Sequence, residues 1–138
     1  MEYKDEQDIS YRKKQIAVKF LAELDKHLED LRAGRVETSY GIKQLAELLF
    51  INPNHLSDTI RKVLGKSPCN IFEEKLIDIC KELIINSGKP IGEIAYTFSY
   101  EPSNFIKLFK RYTGTTPLQF RNQYFLNTVH PKTEKGTI

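Results

Sequence analysis

Six basic residues fall in two short stretches of this sequence: Arg61, Lys62 and Lys66 in the first, and Lys107, Lys110 and Arg111 in the second. Asp58 is the one acidic residue of the first stretch, and none lies between Pro102 and Gly114. The segment between the stretches is richer in acids: Glu73, Glu74, Asp78 and Glu82 against Lys75 and Lys81. Clustered cations of this kind suit the binding of phosphate groups. The net charge of +3 permits nucleic-acid binding without requiring it.

The residues that most often carry catalysis or hold metals are scattered. His27, His55 and His130 are isolated, and no metal-binding spacing, nucleophile motif or glycine-rich phosphate loop is present. On one helix, Cys69 and Cys80 would stand about 16 Å apart, too far for a disulfide. We therefore expect reduced, structural thiols, no catalytic residue, no metal site and no cofactor.

Helical periodicity runs through the whole chain. The first predicted helix carries an apolar stripe from Ile16 to Leu31 and stops at Gly34. Proline at the first helical position opens later helices at Pro53, Pro68, Pro102 and Pro117. In full, the pattern predicts further helices over 42–49, 53–64, 68–86, 90–98, 102–113 and 117–125, followed by a frayed tail from residue 127. The fold class is therefore all-α, with about seven helices.

An internal repeat gives the organisation of these helices. Residues 42–68 align without a gap on residues 91–117, an offset of 49, with five identities in 27 positions. The identities fall on structural positions: Ile42/Ile91, Ala46/Ala95, Pro53/Pro102, Gly65/Gly114 and Pro68/Pro117. Each copy predicts a short helix, a tight turn and a second helix that carries the basic residues. That is the helix-turn-helix layout, whose second helix enters the DNA major groove.

The helix between the copies is expected to act as a spacer. Nineteen residues, 68–86, make a rod of about 28 Å. With the widths of the flanking units added, such a rod could hold two recognition helices roughly 34 Å apart, one turn of DNA.

The same segments resemble the DNA-binding domain of AraC/XylS-type transcriptional regulators. In the first half the resemblance rests on the run from Ile42 to Leu49, on Asn52-Pro53-Asn54-His55-Leu56-Ser57 and on Gly65-Lys66-Ser67-Pro68. In the second half it rests on Ile91-Gly92-Glu93-Ile94-Ala95, on the run from Phe105 to Arg111, on Gly114-Thr115-Thr116-Pro117 and on Phe120-Arg121. Ser99 stands where the family usually has a turn glycine. The resemblance covers roughly residues 20–123 and implies two helix-turn-helix subdomains joined by a long linker helix.

The resemblance also implies which residues meet DNA. Base contacts would come from the exposed early positions of each recognition helix, namely Asn54, Ser57 and Asp58 in helix 53–64 and Ser103, Asn104, Ile106 and Lys107 in helix 102–113. Asparagine pairs with adenine, aspartate accepts a hydrogen bond from cytosine, lysine bonds guanine, and isoleucine touches only a thymine methyl. Phosphate contacts would come from Arg61, Lys62, Lys110 and Arg111.

The predicted domains are a linker or tail (1–19), the DNA-binding domain (20–125) and a C-terminal tail (126–138). Within the domain we expect a first helix-turn-helix unit (42–66), the linker helix (68–86) and a second unit (90–114). The resemblance implies a bacterial, cytoplasmic, nucleoid-associated regulator of transcription that acts on double-stranded DNA and on RNA polymerase. Because members of the family usually carry a separate effector or dimerisation domain, we expect either a fragment of a larger regulator, from which that part is missing, or a small stand-alone activator. No membrane span or secretory signal is expected.

Three alternatives remain at this point. The repeats could be structural helical hairpins, or the stripe from Ile16 to Leu31 could pair with another protein in a helical interaction module without DNA binding. An enzyme is the least supported alternative, since no catalytic constellation is present.

Overall fold

The computed structural model describes residues 10–129, and within that range it contains seven α-helices and no strand. The helices are α1 (Tyr11–Arg32), α2 (Ile42–Leu48), α3 (Pro53–Leu64), α4 (Pro68–Asn86), α5 (Ile91–Thr97), α6 (Pro102–Thr113) and α7 (Pro117–Val129). The predicted all-α class is confirmed. Helices α3, α4 and α6 have the predicted bounds. Helix α2 ends one residue earlier than predicted, and α5 is one residue shorter at each end.

The two ends of the described range are more helical than predicted. Helix α1 begins at Tyr11, where the Ser10 hydroxyl accepts a hydrogen bond from the Lys13 N–H at 3.1 Å. Much of the predicted tail 1–19 is therefore helix, and its residues Ile16 and Ala17 are buried. Helix α7 continues to Val129, past the predicted end near residue 125. Residues 1–9 and 130–138, the remainder of both predicted tails and His130 with them, lie outside the described residues.

The chain forms two compact units whose boundary, between Lys75 and Leu76, lies within α4. Unit 1 contains α1, α2, α3 and the first part of α4. Unit 2 contains the rest of α4 with α5, α6 and α7. The predicted linker helix is therefore shared, and each unit includes part of it in its own core.

The core of unit 1 is built by α1 against the helix-turn-helix. The predicted stripe of α1 is buried along its whole length: Ile16, Phe20, Leu24, Leu28 and Leu31. Helix α1 contacts mainly α3 and also α2, and Leu56 and Ile60 of α3 are fully buried. Because the stripe is covered inside its own unit, it is not a free surface for pairing with another helix.

At two matching core positions of the repeat, unit 2 carries aromatic side chains where unit 1 carries aliphatic ones. Phe105 and Phe109 replace Leu56 and Ile60 at the matching positions, and both are fully buried. Their rings form a chain of tilted and edge-on contacts that reaches Phe120 of α7, with centroid distances of 6.0 and 5.4 Å. This chain joins α6 to α7 within unit 2.

The 49-residue repeat folds into the same shape twice. In each copy the turn is closed by a backbone bond from the first residue after the turn to the small helix residue: Ile51 N–H to Ala46 at 3.0 Å, and Tyr100 N–H to Ala95 at 2.9 Å. Both alanines are fully buried, as close approach of the two helices requires. Each second helix ends at a left-handed glycine, Gly65 (φ 76°) or Gly114 (φ 87°). The structural basis of the repeat is confirmed.

Candidate nucleic-acid interface

The start of each recognition helix is set by proline. Pro53 opens α3 and Pro102 opens α6, each at the first helical position. In α3 the Asn52 side chain also caps the helix, accepting hydrogen bonds from the N–H groups of Asn54 at 2.8 Å and His55 at 3.2 Å. In α6 the capping residue is Glu101, and its side chain makes no such bond.

Burial fixes which face of α3 is available to a ligand. Leu56, Thr59 and Ile60 face the core of unit 1. Of the residues predicted to contact bases, Asn54 and Asp58 are exposed and Ser57 is half-buried. All three are therefore on the accessible side of the helix.

Helix α6 presents the matching face of unit 2. Phe105, Leu108 and Phe109 are buried. The four predicted base-contacting residues lie outside that core, with Ser103, Asn104 and Lys107 exposed and Ile106 half-buried.

The four predicted phosphate-contacting residues lie in the last turns of their helices. Arg61 and Lys62 occupy the last turn of α3, and Lys110 and Arg111 that of α6. All four side chains are exposed. Cations at this end also stabilise each helix, because the C-terminal end of the helix dipole is negative. The guanidinium of Arg111 lies 5.6 Å from the centre of the Tyr112 ring, so that side chain is partly oriented before any DNA arrives.

Lys66 does not belong with these four cations, because it forms an ion pair with another part of unit 1. Its Nζ lies 2.8 and 3.0 Å from the two carboxylate oxygens of Glu74, eight residues further along the chain. Counting Lys66 with the positive charge of the first recognition helix, as the sequence suggested, was wrong: it follows Gly65 and pairs with α4. Helix α3 therefore carries two cations against Asp58, whereas α6 carries three cations and no carboxylate.

The structure adds one residue that the sequence reasoning missed. His55 is exposed on the first turn of α3, at the position that matches Asn104 of α6. Asn104 was predicted to contact a base and His55 was not. The 49-residue offset is the signal that would have identified it.

Other features that the described residues could carry are a metal site, a reactive thiol and a membrane-spanning helix. Within that part of the chain, no group of three or more histidine, cysteine, aspartate or glutamate side chains is placed to hold a metal ion. Burial raises the pKa of the Cys80 thiol to about 12, so this side chain stays protonated in the core. No helix between residues 10 and 129 is long and apolar enough to cross a membrane.

Two short helix pairs, each presenting an exposed polar and cationic second helix, define a protein of the helix-turn-helix class. Comparison with known proteins gives the family. The model of a helix-turn-helix domain family matches residues 45–123, more than half of the chain. The chain belongs to this family of helix-turn-helix domains, and its relatives show that it is of the AraC/XylS type.

The relatives are mostly transcriptional regulators. The chain is 31% identical over 81 residues to the bifunctional transcriptional activator/DNA repair enzyme AdaA of Bacillus subtilis, a match that covers 58% of this chain and 38% of AdaA. It is 27% identical over 86 residues to the arabinose operon regulatory protein of Escherichia coli, covering 62% of this chain and 31% of that protein. The chain thus spans less than two-fifths of either relative.

Solved structures share the fold. The DNA-binding domain of AdpA, a global transcriptional factor crystallised with a target DNA, aligns with a TM-score of 0.66 at 19% identity, over 80% of this chain and 96% of that one. The C-terminal domain of AraT, a response regulator from Geobacillus stearothermophilus, aligns with a TM-score of 0.62 at 25% identity, over 72% and 84% of the two chains.

Proposed function

We propose that this chain binds double-stranded DNA in a sequence-specific manner through α3 and α6 and thereby regulates transcription. The observation that carries the proposal is the repetition of one arrangement. Each unit buries one face of its second helix and exposes polar early positions followed by a cationic last turn. Exposed early positions suit base edges and the cationic turns suit phosphates.

The residues divide by role. Asn54, Ser57 and Asp58 would read bases for unit 1, and Ser103, Asn104, Ile106 and Lys107 for unit 2. Arg61, Lys62, Lys110 and Arg111 would hold phosphates and supply affinity without sequence information. His55 joins the first group because it matches Asn104 and is exposed.

We also propose that the two recognition helices read successive major grooves. The length of α4 supports this, since its 19 residues correspond to about 28 Å of rod. A site recognised in this way would contain two short motifs about one helical turn apart.

The remaining expectations from the sequence stay predictions. They are contact with RNA polymerase, a separate effector or dimerisation domain, a cytoplasmic and nucleoid-associated location, and the absence of catalysis by this chain. The domain boundaries of 20–125 also stay a prediction. Burial of Ile16 and Ala17 favours including all of α1 in the domain.

Selection of bound sequences from a random duplex pool tests the proposal. We expect enrichment of two short motifs spaced by about one turn of DNA, with binding that weakens as salt rises. Absence of any enrichment or shift of duplex DNA at low salt would rule the proposal out and favour a helical interaction module.

A further inference from the structure

A cavity of about 490 Å³ lies in unit 1 between the first half of α1 and the start of α3. Arg12 and Lys19 line it from α1, and Asn52 and His55 line it from the start of the recognition helix. Phe50, at the turn, forms part of its edge, with 93% of its side chain exposed. None of these residues is among the DNA contacts that the family resemblance implies. His55 alone was added to the proposed base contacts above, because it matches Asn104.

The polar lining suits an anion. Of the described residues that line the cavity, three are basic and none is acidic. Arg12 and Lys19 are seven residues apart, about two helical turns, so they project from the same side of α1. Both are exposed, and both flank Ile16, whose side chain is buried against the core. The packing of α1 thus places the helix positions of both cations beside the start of α3.

The position of the cavity indicates where that anion would come from. It borders the N-terminal end of α3, where Asn52 and His55 line it and where Asn54, Ser57 and Asp58 lie close by in the sequence. A helix that places its first turns against base edges is bordered by the sugar-phosphate strands that form the walls of the groove. A basic surface beside those first turns therefore faces one of these strands.

We propose that this cavity receives a phosphate group of the DNA backbone, held by Arg12 and Lys19, so that the DNA interface of unit 1 extends from the helix-turn-helix onto α1. The inference rests on the proposed function, because it takes α3 as a recognition helix. It assigns the early part of α1, predicted from sequence to be a tail, a role in affinity. Because a phosphate carries no base identity, this contact would not alter sequence preference.

The double variant Arg12→Gln/Lys19→Gln tests the proposal on the best duplex from the selection. We expect the slope of log K against log salt to fall by about 0.9, the contribution of one neutralised phosphate. The ranking of selected sequences should stay as in the wild type. Both side chains are exposed, so circular dichroism and urea unfolding should match the wild type.

Lys26→Gln is the matched control. Lys26 is on the same helix and exposed, but its Nζ lies 3.6 Å from Asp30 and it does not line the cavity. We expect its salt slope to stay within a few tenths of the wild-type value. Ethylation of one or two phosphates beside the first motif should hinder the wild type, and it should hinder the double variant less.

The possible outcomes distinguish failure of the α1 phosphate contact from failure of the proposed DNA-binding function. If the wild type binds selected DNA specifically and the double variant keeps its salt slope, the α1 contact is wrong and the proposed function stands. If titration with inorganic phosphate alone shifts the His55 resonances of the wild type while that slope stays unchanged, the cavity binds a free anion instead. If the wild type binds no duplex at all, both proposals fall.

Discussion

Arg121 of α7 binds the C-terminal end of α4: its Nε donates a hydrogen bond to the carbonyl oxygen of Ile84, 37 residues earlier in the sequence, at 2.7 Å. Its Nη2 donates to the carbonyl of Lys89, also at 2.7 Å. The first of these carbonyls lies in the last turn of α4, where backbone acceptors lack helical partners. The arginine that ends the family-like signature therefore joins α7 to the linker helix and to the loop before α5.

Arg121→Ala should destabilise unit 2 by about 1–2 kcal/mol, because two charge-assisted hydrogen bonds are lost from a partly exposed group. Cys80, buried in unit 2, offers a local readout. In a Cys69→Ser background, the rate at which Cys80 reacts with a thiol reagent should rise roughly tenfold with such a loss. The rate for Arg121→Lys should lie between those of the wild type and the alanine variant, since a lysine ammonium cannot form the same two-pronged contact. An unchanged rate in the alanine variant would contradict the structural role.

The turn residues Phe50 and Ser99, which match at the 49-residue offset, both have left-handed backbone, with φ of 59° and 67°. A side chain costs about 1 kcal/mol in this region relative to glycine. Since Phe50 is 93% exposed, Phe50→Gly loses little buried surface. We expect urea unfolding to show a gain of about 0.5 kcal/mol, because the greater freedom of glycine in the unfolded chain offsets part of the relief. A clear loss would indicate stabilising contacts of the ring.

Gly65→Ala is the reverse experiment. Gly65 has a φ of 76° and no atom within 4 Å of an added Cβ, so backbone conformation alone is tested. The substitution should lower the free energy of unfolding by about 1 kcal/mol.

Unit 1 should become less stable in mild acid because of the environment of His27. Its Nε2 accepts a hydrogen bond from the Tyr40 N–H at 2.8 Å, and its ring stacks on that of Tyr40 at 4.2 Å. Burial lowers the pKa of His27, although the nearby Asp30 carboxylate raises it in part. Because the unfolded chain then takes up a proton more readily, the free energy of unfolding should fall as pH drops below about 6.5, and the loss should level off below the folded pKa.

The control for this prediction is His27→Gln, whose side chain does not titrate. Urea unfolding at several pH values between about 5 and 8 should show a flatter profile for this variant than for the wild type. Parallel profiles would mean that the acid sensitivity arises elsewhere.

Lys107 and Lys110 should behave differently although both lie on α6. Lys107→Ala removes a proposed base contact, so we expect relaxed preference at one position of the second motif, by about 1–3 kcal/mol. Lys110→Ala removes a proposed phosphate contact and should weaken all sequences about equally, lowering the salt slope by roughly one unit. Quantitative binding to the selected site and to single-base variants separates the two results; identical behaviour would refute the division of roles.

Lys66→Ala shows how the loss of a paired lysine affects the salt slope, for comparison with Lys110→Ala. Its ammonium is already paired with the Glu74 carboxylate at 2.8 Å. Removing it should change the salt slope by less than Lys110→Ala does, because the paired cation neutralises a protein carboxylate. A drop as large as that of Lys110→Ala would mean that the pair opens on binding.

Local signals in the sequence were enough to predict the number of helices, most of their bounds and the repeat. Pro53, Pro68, Pro102 and Pro117 start helices, and Gly65 ends one, through the backbone conformation that each residue itself prefers. Helical periodicity also sorted exposed from buried residues on α3 and α6, because packing on one side of a helix has the period of the helix.

Tertiary structure decided the features that depend on residues far apart in the chain. The burial of Ile16 and Ala17, inside the predicted tail, depends on packing against the rest of unit 1. Lys66, in the loop after α3, pairs with Glu74 of α4. Arg121 of α7 reaches back to Ile84 of α4. The basic cavity likewise needs α1 beside the start of α3. No local pattern encodes these contacts, because each depends on how two helices pack in space.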